Sequence, residues 1–130
     1  MTLKTGRVAA VLFLEDDAST VEVLRDLILM HFGDRVVGLA ASTVEGAKEL
    51  YWKYQGFIRV IMADQFLRTD REQGAEFVHW LKEEHNFQGA LVAFSGNYDS
   101  VGKLVAAGCN HELQKPIHPE EFLRILEKYS

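Results

Sequence analysis

Three consecutive carboxylates, Glu15, Asp16 and Asp17, close an unbroken apolar run in the segment LFLEDD. Like charges set side by side at the end of a buried strand cost free energy, so the cluster calls for a counter-charge. Further along, Asp64 ends the apolar segment IRVIMA, Ser95 ends ALVAF, and Lys115 sits in the tripeptide QKP. Clustered carboxylate oxygens with room for water suit a hard divalent cation such as magnesium. A hydroxyl and an ammonium facing that group are what an incoming phosphoryl group needs, because its transfer is catalysed by positioning and charge neutralisation. A carboxylate can itself be the nucleophile and form an acyl phosphate. Asp64 stands alone at its strand end and is the candidate for that role. Without a metal, the cluster is expected to push at least one carboxyl pKa upward.

These residues need elements to position them. Val8 to Leu14 is a short unbroken apolar run of the kind found in a strand covered on both faces, and Val36 to Ala41, Ile58 to Ala63 and Ala90 to Phe94 are further strand candidates. A fifth strand fits between Cys109 and Gln114. Helical spacing of apolar residues appears at Val21, Leu24, Ile28 and Phe32, at Ala47, Leu50, Tyr51 and Tyr54, and at Phe77, Trp80 and Leu81. It recurs at Val101, Leu104 and Val105, and at Phe122, Ile125, Leu126 and Tyr129. Ser19 with Glu22, and Ser42 with Glu45, have the spacing of capping boxes. Gly108 is placed to cap the fourth helix, and Pro119 suits the first turn of the fifth. Five strands alternating with five helices predict right-handed βαβ units around a parallel sheet, in one domain over 1–130 without an interdomain linker. Polar residues at the carboxyl ends of such strands share one edge, where ligands bind.

The 130 residues carry a net charge of -5, which disfavours nonspecific binding to a phosphate backbone. No apolar stretch is long enough to span a bilayer, and MTLKTGR lacks the apolar core of a signal peptide. A single cysteine, Cys109, cannot form an internal disulfide and fits a reducing cytoplasm as a small buried residue. The five histidines show no zinc spacing and are expected at the surface or at helix ends. GNYDSVGK has five residues between its glycines and a leucine after its lysine, so it is not a phosphate-binding P-loop.

From Val8 to Leu126, the ordered segments LFLEDD, IMAD, AFSG and QKP resemble the receiver domains of two-component response regulators. The resemblance implies a doubly wound (βα)5 α/β fold of the flavodoxin type, with strand order 2-1-3-4-5. It implies magnesium held by Glu15, Asp16, Asp64 and the backbone carbonyl of Phe66, with Asp17 near the helix start. Asp64 would be the phosphoacceptor, with Ser95 and Lys115 contacting the phosphoryl group and a Lys115–Pro116 bond open to the cis form. Phosphate would come from a histidine kinase or phosphotransfer protein, and the signal would pass to a protein target. Neither nucleic acid nor membrane would be bound directly, and the only catalysis would be of the protein's own phosphorylation and dephosphorylation. No output module follows in this chain.

Two features depart from the family pattern. A charged stretch from Gln65 to Gln73 lengthens the loop after the phosphoacceptor, and Glu112 occupies the position usual for an aromatic switch, three residues before the lysine. They keep open an alternative, a receiver-like interaction scaffold that works without phosphorylation. Oligomeric state is left open.

Overall fold

The computed structural model describes residues 9–65, 67 and 73–129. Strands β1 (Ala9–Leu14), β2 (Val36–Ala41), β3 (Ile58–Ala63), β4 (Ala90–Ser95) and β5 (His111–Gln114) alternate with helices α1 (Ala18–Phe32), α2 (Val44–Tyr54), α3 (Gly74–His85), α4 (Tyr98–Ala107) and α5 (Pro119–Tyr129). The strands are parallel and lie in the order β2-β1-β3-β4-β5. This is the α/β arrangement expected from the sequence.

The side chains of each strand alternate between two cores. Leu12, Leu14, Ile61 and Leu91 face Ala47 and Tyr51 of α2, Phe77 and Leu81 of α3, and Leu104 of α4. On the other side, Phe13, Val60, Met62 and Phe94 meet Leu24 and Ile28 of α1 and Phe122 and Leu126 of α5. Because both faces are covered, β1 and the stretch Ala90 to Phe94 of β4 read as continuous apolar runs. Each fully buried Phe or Leu contributes about 1.5–3 kcal/mol. One irregularity breaks the alternation: pairing steps from Ala10–Ile58 to Val11–Val60, so Arg59 is an extra residue in β3. The bulge leaves Arg59 exposed and returns Ile58 to the face of Ile61.

Both predicted capping boxes lie off by position. Ser19 is inside α1, whose N-cap is Asp17; the Asp17 carboxylate accepts from the hydroxyls of Ser19 and Thr20. At α2 the cap is Thr43 rather than Ser42, and Thr43 Oγ1 accepts from the Gly46 N–H at 3.0 Å. Gly108 caps α4 as expected: with φ at 136° its N–H reaches the carbonyls of Leu104 and Val105. No helix among the described residues is long and apolar enough to cross a membrane.

Candidate functional site

Parallel ladders deliver the chemistry-bearing residues to one edge, and each ladder runs one rung past its strand. The Glu15 N–H donates to the Ala41 carbonyl, that of Asp64 to Leu14, and that of Lys115 to Ser95. Backbone hydrogen bonds therefore hold Glu15, Asp64 and Lys115 although all three lie beyond the strand ends.

The structure brings Glu15, Asp16 and Asp64 together, each offering a carboxylate oxygen within 4.8 Å of the other two. Glu15 and Asp64 are almost wholly buried, and Asp16 is half-buried. Lys115 joins them across the sheet. Its Nζ lies 2.6 Å from Glu15 Oε1 and donates to Asp64 Oδ2 at 2.9 Å, while also sitting 5.1 Å from the centre of the Phe94 ring. The Lys115–Pro116 peptide bond is cis, the form the resemblance left open. Asp17 points away to the α1 N-terminus, where the hydroxyls of Thr20 and Ser19 hold its carboxyl below the usual range.

The expected rise in a carboxyl pKa falls on Glu15. Burial is its main cause and outweighs the lowering by Lys115 and by the Asp17 N–H, which donates to Glu15 Oε2. The charge on Asp64 adds the smallest push, so loss of water matters more here than like-charge repulsion. Lys115 is half-buried, which disfavours its charge, but Glu15 and Asp64 outweigh that and raise its pKa.

Three carboxylates against one ammonium leave surplus negative charge when all are ionised. An all-oxygen donor set of this kind, partly closed from water, fits a hard divalent cation. The predicted fourth ligand, the Phe66 carbonyl, lies outside the described residues.

Ser95 is buried at the end of β4, and its Oγ accepts from the Asn97 N–H at 3.3 Å. The Asn97 side chain caps α4, accepting from Asp99 and Ser100. The segment dismissed as a P-loop is thus the β4–α4 turn with the start of α4. Glu112 is exposed on β5, with no ring at that position.

The histidines only partly follow expectation. His31 and His79 are exposed, and His118 precedes α5, but His111 is a half-buried strand residue whose Nε2 lies 2.8 Å from Tyr129 Oη. His85 ends α3 with its ring against Tyr51, Trp52 and Trp80. Burial pushes the Cys109 thiol up to about 12, so the small-residue reading of this cysteine holds.

Sequence reasoning missed Gln65. It is buried, and its side-chain Oε1 accepts from the Ala75 N–H at 2.7 Å. No local pattern marks a cap that reaches forward ten residues. An amide side chain directly after the strand-end carboxylate was the one available signal.

No protein-family model matches this chain, and no curated protein does. Solved structures do. The receiver domain of NtrX from Brucella abortus superposes with a TM-score of 0.76 at 16% identity, over 91% of this chain and 95% of that one. A response regulator receiver domain protein from Clostridium thermocellum gives 0.77 at 16%, over 93% of each chain. The chemotaxis response regulator CheY4 of Vibrio cholerae gives 0.75 at 21%, over 93% of this chain and 98% of that one. The chain therefore has the fold of response regulator receiver domains.

Proposed function

We propose that this protein is a phosphoacceptor switch of a two-component phosphorelay, with Asp64 as the residue phosphorylated. The observation that carries this reading is the Lys115 ammonium bonded to Asp64 Oδ2 beside the buried Glu15 carboxylate. In that arrangement an Asp64 oxygen attacks the phosphorus of a phosphohistidine on a histidine kinase or phosphotransfer protein. An O–P bond forms, the N–P bond breaks, and the imidazole leaves and takes up a proton. Lys115 orients Asp64 beforehand and then neutralises charge on the transferred group. The Ser95 hydroxyl, now held by the Asn97 N–H, is the neighbouring donor for a phosphoryl oxygen.

Glu15, Asp16 and Asp64 would hold magnesium, which when bound supplies charge neutralisation at the phosphoryl oxygens. The protein would catalyse only its own phosphorylation and dephosphorylation, in the cytoplasm, and signal to a protein target. A second reading, a scaffold that works without phosphorylation, draws on the exposed Glu112, which offers no ring to swing inward.

Intact-mass analysis after incubation with acetyl phosphate and magnesium tests the first reading. One added phosphoryl group, absent from Asp64→Ala and absent without magnesium, is the expected result. No adduct in a protein that also binds no magnesium would leave the scaffold.

A further inference from the structure

We propose that Gln65 is a positioning residue for Asp64, acting by clamping the N-terminus of α3 to the end of β3; this rests on the reading of Asp64 as phosphoacceptor. The first backbone N–H groups of a helix have no partner within it. At the start of α3, among the described residues, Gln65 meets three of them from the far side of the loop. The Gln65 carbonyl accepts from the N–H groups of Gln73 at 3.1 Å and Gly74 at 3.2 Å, and its side chain accepts from Ala75. Gln73, the residue placed to cap this helix, makes no side-chain cap. Gln65 is 1% exposed, so these bonds are made away from bulk water.

Asp64 is held from two sides as a result. Its N–H donates to the Leu14 carbonyl of β1, and its own carbonyl backs onto Gly74, where any Cβ would overlap it. The chain leaves the sheet at Gln65 and is rejoined at Gln73 through one carbonyl, so the lengthened loop is closed at its base. A nucleophile works only within a narrow range of approach, and a misplacement of about 1 Å can cost 10²-fold in rate. A main chain fixed between β1 and α3 keeps the Asp64 carboxylate within that range and within reach of Glu15, Asp16 and Lys115.

The test compares wild type with Gln65→Met, which keeps the side-chain length and loses the acceptor, and Gln65→Glu, which keeps an acceptor. Phosphoryl uptake from acetyl phosphate is followed by intact mass, magnesium affinity by calorimetry, and folding by thermal unfolding. In Gln65→Met, uptake is expected to slow about tenfold and magnesium affinity to fall, at a temperature where the variant is fully folded. Gln65→Glu is expected to restore both. A cap that only supports the fold would lower the unfolding midpoint and leave rate and affinity unchanged, which would overturn the proposal. Equal impairment of Gln65→Met and Gln65→Glu would also overturn it, since the acceptor would then be irrelevant. Should Gln65→Met not fold, Gln65→Asn, one methylene too short for Ala75, is read in the same way. If wild type binds magnesium but takes up no phosphoryl group, acetyl phosphate is not its donor. The magnesium titrations then decide the clamp by themselves: weaker binding in Gln65→Met supports it, and unchanged binding rejects it.

Discussion

Lys115 Nζ and Asp64 Oδ2 lie 2.9 Å apart, joining the ends of two strands that are not neighbours, β3 and β5. The lysine reaches over β4 to do so and meets Glu15 at the end of β1 as well. One ammonium thus serves as counter-ion to two carboxylates that have given up most of their water.

Removing that ammonium should expose the cost of the cluster. Lys115→Met leaves Glu15 and Asp64 buried without their partner, and stability without magnesium is expected to drop on the order of 2 kcal/mol. Magnesium should recover part of the loss, because it supplies positive charge to the same oxygens. Urea unfolding of wild type and Lys115→Met, with and without magnesium, checks this. A variant as stable as wild type without metal would show that the pairs contribute nothing net.

The pH dependence of stability follows from the direction of two shifts. The raised pKa of Glu15 means that the folded state binds its proton more tightly than the unfolded state does. Its contribution is fully present below the ordinary value of 4.5 and is lost as pH rises through the raised value. Lys115 has the same sign: its contribution is present below 10.5 and is lost as pH rises through its own raised pKa. Glu15→Gln should therefore remove the weakening of wild type just above pH 4.5 relative to the variant. Metal-free unfolding curves for both proteins across that range make the comparison. Parallel pH profiles would show that Glu15 does not titrate differently on folding.

Two glycines separate close packing from open space. Gly74→Ala would place a Cβ on the Asp64 carbonyl, and the displaced α3 should cost about 1–3 kcal/mol. Gly56 has nothing within 4 Å of a built Cβ, so Gly56→Ala should be neutral, or stabilising by about 0.4–1 kcal/mol through the unfolded chain. Chemical unfolding of the two variants beside wild type checks both. Similar losses in both would mean that contact with Asp64 is not what makes Gly74 necessary.

Much of the molecule was legible because its signals are local. Mostly apolar runs marked β2 and β3 at their observed bounds, since the polar residues that end each run are adjacent in sequence. Helical stripes such as Val21, Leu24, Ile28 and Phe32 coincide with the buried residues of α1. Caps were less secure. Ser42 and Thr43 carry equivalent hydroxyls, and only the backbone path into α2 selects Thr43; likewise Asp17, directly after Glu15 and Asp16, displaces Ser19 at α1.

The sequence by itself determined the elements, their α/β alternation, and the set of residues that could meet at one edge, because each depends on periodicity or on a motif a few residues long. Tertiary structure alone decided which of them meet. It brought Glu15, Asp16, Asp64 and Lys115 into one cluster, turned Asp17 away, and made burial rather than repulsion the main force on the Glu15 proton. It also gave Gln65 its task, since a side chain that caps a helix ten residues away has meaning only once the loop between them has closed. Solvent exclusion and contacts distant in sequence are properties of the packed chain, and no short window of residues contains them.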